Sequence, residues 1–274
     1  MITRNTINVL GIPVDKITME EAVNRVGFFL GKFNITKDKN KDSKDKNNKD
    51  ENNKDNQVKT VYTPNSEIMM AAQRDEELKN ILCSGNMLVP DGAGVVLAAK
   101  ILGYSLPERV AGFDLVENIL DKFKDSGLRI FLLGAKPGVA EKAAINIISK
   151  YKGIEISGYH HGYFSDEEVE TIIHNINESR TDLLLVALGA PKQEKWIHRY
   201  KDQLKVKVCI GVGGTLDVFA GVASRAPKFF QNHGLEWLYR LYKEPHRFWR
   251  MLDIPKFLFL SLRTRFMRAL RSKN

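Results

Sequence analysis

A chain of 274 residues with 43% hydrophobic side chains can bury one sizeable core, and none of its apolar runs approaches the ~18–20 residues that cross a bilayer. Only Cys83 and Cys209 are present, and the opening MITRNTINVL has no signal-peptide core, so a disulfide scaffold is excluded and a cytoplasmic protein with reduced thiols is expected. The net charge of +9 is confined to one end: residues 221–274 hold twelve Lys and Arg against three acids, whereas the first 220 residues hold 30 of each sign.

In chain order, short β-branched runs alternate with helix-length amphipathic segments. INVLGIPV (7–14) reads as a strand and 19–33 as a helix. Residues 34–57 then form an insertion whose Lys/Asp/Asn stretch, 37–56, has nothing apolar to bury, expected to be disordered and without a catalytic role. The strand VKTVYT (58–63) runs out into Thr63-Pro64-Asn65, which offers a hydroxyl and an amide at a carboxyl edge, and a helix follows over 66–82. The strand MLVPD (87–91) ends in Pro90-Asp91-Gly92 before a helix over 93–102. Asp91 is the leading general-base residue, because transfer to a hydroxyl needs a proton acceptor within hydrogen-bond reach of the attacking oxygen. On spacing alone, its place before a helix favours an N-cap.

Arg109 lies in a loop before the helix 114–126, where a guanidinium could grip a diphosphate bidentately or pair with Glu108 or Asp114. The strand RIFLLG (129–134) meets a helix over 137–151 through Gly134-Ala135-Lys136-Pro137, small residues that free backbone N–H groups for a phosphate or ribose. A strand at 154–159 and a helix at 166–177 follow. The strand LLLVALG (183–189) repeats the design at Gly189-Ala190-Pro191, with Gln193 expected to face the space above the sheet as the helix 192–203 begins. The strand VKVCIGVG (206–213) supplies a third glycine junction, Gly213-Gly214, with the Asp217 carboxylate available to a uracil edge or ribose.

These elements predict an α/β domain over 1–220: a largely parallel, Rossmann-like sheet covered by helices, with ligands at the carboxyl ends of its strands. Three glycine-bearing junctions suggest a nucleotide crevice, although neither G-x-G-x-x-G nor a Walker loop is present, which argues against a dehydrogenase. There is no Asp-x-Asp, and His160-His161 is the only histidine pair, so a metal-independent site is expected. Residues 221–274 read as basic amphipathic helices broken near Pro245 and Pro255. Such a segment can pack as a helical cap. Its charge and tryptophans favour an anionic membrane surface, and its apolar side chains make homo-oligomers plausible in solution. A nucleic-acid arm is the competing reading, opposed by the neutral body and the lack of a recognised binding module.

Five ordered blocks, Thr63-Pro64-Asn65, Pro90-Asp91-Gly92-x-Gly94, Arg109-Val110-Ala111-Gly112-x-Asp114, Gly189-x-Pro191-Lys192-Gln193-Glu194 and Gly211-Val212-Gly213-Gly214-x-x-Asp217, resemble those of the WecG/TagA/CpsF glycosyltransferases. The resemblance implies inverting transfer of an N-acetylmannosamine-like sugar from a UDP donor to a polyprenyl-diphosphate-linked N-acetylglucosamine, with Asp91 as base. It also implies that Thr63, Asn65, Arg109 and Gln193 line the pocket. Gly134, Ala135, Tyr163, Gly189, Pro191, Gly213, Gly214 and Asp217 would form the UDP side. Arg240, Arg247 and Arg250 match arginines that close over the site and meet the lipid diphosphate. UDP-N-acetylmannosamine, its uronic acid and UDP-glucose all remain compatible as donors, and the implied location is the inner face of the cell membrane, peripherally held.

Overall fold

A computed structural model describes residues 4–33, 57–245 and 248–271. The insertion expected at 34–57 falls outside the described residues except for Gln57, and so does Arg247. The main sheet has six parallel strands: β3 (Lys59–Tyr62), β4 (Met87–Leu88), β5 (Arg129–Gly134), β6 (Glu155–His160), β7 (Leu183–Ala187) and β8 (Val208–Gly211), in the order β4-β3-β8-β7-β5-β6. Period-2 alternation sends Ile130, Leu132, Leu183, Leu185 and Ile210 to one buried cluster and Phe131, Leu133, Leu184, Val186 and Cys209 to the other. Both faces are therefore covered by helices, as an all-parallel sheet requires.

The first expected strand is instead a hairpin, β1 (Thr6–Val9) and β2 (Ile12–Asp15), separate from the main sheet. Leu10 and Gly11 turn the chain at positive φ, and the Asn8 side chain accepts from the Gly11 N–H at 2.8 Å. The hairpin is bound to the sheet edge by Asp15, a fully buried carboxylate paired with Arg4 at 2.7 Å and Arg25 at 2.6 Å, which also accepts from the Leu88 N–H of β4 at 2.8 Å. Covering that edge removes a template for unwanted strand pairing. The expected helix over 66–82 is two helices, Ser66–Ala72 and Glu76–Ser84, because Asp75 caps a new start by accepting from Leu78 N–H at 3.0 Å.

Among the described residues the basic tail carries four helices, Lys228–Asn232, Glu236–Lys243, Phe248–Met251 and Asp253–Arg271. The last packs on helices Ser66–Ala72 and Ala93–Ile101, with Phe257 fully buried in the first core cluster. Ion pairs add to this docking: Arg74 to Asp253 at 2.6 Å, Arg225 to Asp114 at 2.5 Å and Arg250 to Glu67 at 2.9 Å. The other face of the tail leaves Tyr242, Trp249, Phe259, Leu262 and Phe266 exposed.

Candidate active site

All six strand ends lie along one edge, and the residues singled out from the sequence follow it in spatial order: Asp91 after β4, Thr63 and Asn65 after β3, Gly213 and Gly214 after β8, Gly189 and Pro191 after β7, Gly134 and Ala135 after β5, and Tyr163 after β6. A cleft of about 350 Å³ opens at the β4–β3 end. Asn65, Glu67, Asp91 and Arg109 line it from the body, while Glu236 and Arg240 close it from the tail.

Asp91 is not the cap of the helix that follows it. The N-cap position falls on Gly92 at φ 85°, a conformation suited to glycine, and no side chain caps that helix end. The carboxylate instead looks into the cleft. Burial pushes the Asp91 carboxyl up from 3.8 to about 6, opposed by Arg240, the Gly112 N–H and Arg109, with Glu236 adding to the rise. A carboxylate so poised is mostly ionised at neutral pH yet more basic than an exposed aspartate.

Arg109 takes neither of its local partners. Glu108 accepts from the Met19 N–H and Asp114 pairs with Arg225, whereas Arg109 Nη1 sits 2.8 Å from Glu236 Oε1. Asn65 Oδ1 accepts from the Ile68 N–H at 3.0 Å as a helix cap, which leaves the carboxamide NH2 as the group available to a sugar. Arg240 lines the cleft directly, and Arg250 reaches its margin through Glu67.

Two residues expected to touch ligand are buried beneath the edge instead. Thr63 donates to the Gly211 carbonyl at 3.2 Å and packs under Gly112, so it ties β3 to β8 and does not line the cleft. Gln193 is 2% exposed: its Oε1 accepts from the Gly213 N–H at 3.0 Å and its Nε2 donates to Glu194 at 2.9 Å. It therefore shapes the glycine turn after β8 from below. Glu67, Glu236, His233 and Trp237 line the cleft without having been singled out from the sequence.

The nucleotide-compatible rim lies further along the edge. The helix after β5 packs in one core cluster and the helix after β7 in the other, so the chain leaves these adjacent strands in opposite directions and a crevice opens between their ends. Gly134 has φ 133°, and a Cβ there would collide with the Ala187 carbonyl. Ala135 N–H donates to Ala187 at 2.9 Å, and Gly162 N–H donates to Ala135 at 2.8 Å, bringing exposed Tyr163 to the rim. Gly189 and Gly213, at φ 76° and 52°, have open space where a side chain would stand. Asp217 lies one turn into the short helix after Gly214 and anchors the next loop by accepting from Val222 and Ala223 N–H groups at its carbonyl.

A doubly wound sheet with a glycine-lined crevice, beside a cleft that sets one raised carboxylate among arginines, is an architecture suited to group transfer between strongly anionic molecules. The chain belongs to the WecG/TagA/CpsF family of glycosyl transferases, which it matches over residues 46–271. It is 39% identical over 198 residues, covering 72% of this chain and 76% of the relative, to the N-acetylglucosaminyldiphosphoundecaprenol N-acetyl-beta-D-mannosaminyltransferase of Bacillus spizizenii (strain ATCC 23059 / NRRL B-14472 / W23). Proteins of the same description from Bacillus subtilis (strain 168) and Staphylococcus aureus (strain MRSA252) are 39% identical over 203 residues and 36% identical over 199, each match covering 78% of the relative and 74% and 73% of this chain.

Proposed function

We propose that this chain is an inverting transferase that moves N-acetylmannosamine from UDP-N-acetylmannosamine to a hydroxyl of N-acetylglucosamine on undecaprenyl diphosphate, in the synthesis of teichoic acid or a related surface polysaccharide. The observation that carries this reading is the Asp91 carboxylate, raised to about 6 in a cleft bordered by Arg109 and Arg240. Asp91 accepts the proton of the acceptor hydroxyl while that oxygen forms its bond to the anomeric carbon. The bond to the UDP oxygen breaks on the opposite face, and UDP leaves with the electron pair. The names of the relatives support the acceptor and the sugar.

The UDP lies along Gly134, Ala135, Tyr163, Gly189, Pro191, Gly213, Gly214 and Asp217 in this proposal. Arg109, Arg240 and Arg250, joined by Arg247, meet the diphosphates and supply positive charge without a resident divalent ion. Among the described residues no helix is long and apolar enough to cross a membrane. The tail is proposed to lie on the anionic inner face of the cell membrane, inserting Trp249, Phe259 and Phe266 while Arg263 meets head groups. This places the cleft beside a lipid-held acceptor.

The test incubates the full chain with UDP-N-acetylmannosamine and undecaprenyl-diphosphate-linked N-acetylglucosamine in anionic vesicles, with and without excess EDTA. Disaccharide-lipid and released UDP in equal amounts, unchanged by EDTA, are expected. Product from UDP-glucose or the uronic acid alone would refute the donor, and loss with EDTA would refute the metal-free mechanism.

A further inference from the structure

Helix Glu236–Lys243 forms one wall of the cleft, yet none of its residues is buried. Its main packing is with its tail neighbours, helices Lys228–Asn232 and Phe248–Met251, and not with the sheet. By contrast, helix Asp253–Arg271 is held to the body by Phe257 and Ser261, both fully buried. Apolar burial, the usual source of helix docking, therefore does little to fix the wall that carries Arg240. Among the described residues, the ion pair that crosses from this helix to the body is Arg109–Glu236, at 2.8 Å and with side chains only 21% and 18% exposed. Glu236 and Arg240 are four residues apart, so they share one helix face, and holding the first sets the direction of the second.

We infer that Glu236 is a positioning residue: by pairing with Arg109 it latches helix Glu236–Lys243 onto the loop before helix Gly112–Phe123 and so holds Arg240 over Asp91. The inference rests on the transferase reading above for its catalytic consequence, but the latch itself is a property of the ligand-free protein. It gives Glu236 a use that its charge alone opposes, because a carboxylate in a diphosphate cleft repels the substrate. The charged and titratable groups around Asp91 are Arg109 from the loop before helix Gly112–Phe123, Glu236 and Arg240 from the tail helix, and, further along the same cleft, Glu67 and His233.

The test uses full-length Glu236→Gln and Glu236→Asp. In ligand-free protein, hydrogen exchange should show lost protection over 236–243 in Glu236→Gln, with helix Asp253–Arg271 unchanged and partial recovery in Glu236→Asp. With substrates, kcat should fall about 10- to 100-fold, the order expected for a misplaced catalytic wall, while the circular dichroism spectrum stays that of wild type and certifies the fold. The acid limb of the pH–rate profile separates positioning from simple charge. Arg240 is the strongest charged influence holding the Asp91 pKa down, so releasing it moves the limb to higher pH; deleting the Glu236 charge alone moves it lower. Unchanged exchange, unchanged kcat or a limb shifted downward each overturns the latch. If wild type makes no product while the exchange result holds, the transferase reading fails and the latch stands; product with unchanged exchange is the reverse case.

Discussion

Replacing Asp91 with Asn should abolish transfer and make the protein more stable, and both effects follow from the same burial. With a pKa of about 6, the wild-type carboxyl is about nine-tenths ionised at pH 7 and about one-tenth at pH 5, so the rate should fall about tenfold per unit below pH 6. An ordinary aspartate would keep the rate flat to about pH 4.5. Loss of a general base costs about 10²–10⁴-fold, and Asn cannot accept the proton. For stability, the folded pKa lies above the unfolded value, so the associated stabilisation is present below about pH 4 and is lost as pH rises through about 6. A rise of about two units corresponds to about 3 kcal/mol, reduced to about 1–2 kcal/mol because the side chain retains solvent contact in the cleft. Asp91→Asn carries no such cost, so it should melt about 3–8 °C above wild type at pH 7.5, with the gap closing by pH 4. Product formation across pH 4.5–8 and thermal melts at both ends check this. A variant that retains activity refutes the base; an inactive variant with no stability gain and an acid limb near pH 4 refutes the burial argument.

Two further substitutions probe the scaffold under the site. Gly134→Ala should destabilise by about 2–4 kcal/mol in denaturant titrations, because its Cβ strikes the Ala187 carbonyl and φ is 133°, whereas Gly189→Ala, with open space at φ 76°, should cost only about 1–2 kcal/mol. Equal losses would show that strand packing is not what holds Gly134. Phe257→Ala empties a fully buried seat and should cost about 3–5 kcal/mol, seen as early proteolysis of the tail at temperatures where the sheet still resists.

The sheet was legible because its central strands β5, β7 and β8 are apolar runs between turn residues, and a sheet covered on both faces demands such runs. The hairpin was missed although Gly11 interrupts INVLGIPV, and the helix break was missed although Asp75-Glu76-Glu77 is a start signal. Gln193 was misplaced for a similar reason: it lies three and four residues before buried Trp196 and Ile197, on the core face of its helix, so its spacing already pointed inward. Asp91 was legible as a carboxylate at a strand end, but that it does not cap the next helix turned on Gly92 taking that position, a matter of backbone angle. Glu236 had no local signal, since its partner lies 127 residues away.

The basic tail joins stability to function in a way that its charge alone does not reveal. Arginines, tryptophans and a terminal position describe an appendage, yet Met251 and Phe257 are buried while Arg240, Trp237 and Ile254 help to form the cleft. The same helix that exposes Phe259, Leu262 and Phe266 inserts Phe257 and Ser261 into the body, one face each. Removing residues 221–274 would therefore strip a wall from the active site and uncover part of the first core cluster at once, and the resulting loss of transfer would have two causes. Point changes divide them. Phe257→Ala acts on docking, Glu236→Gln on the alignment of the cleft wall, and substitutions at Phe259 or Phe266 on the outward face alone. If membrane contact serves only to bring the acceptor near, the outward changes should weaken vesicle binding and leave Asp91 and its pH profile untouched.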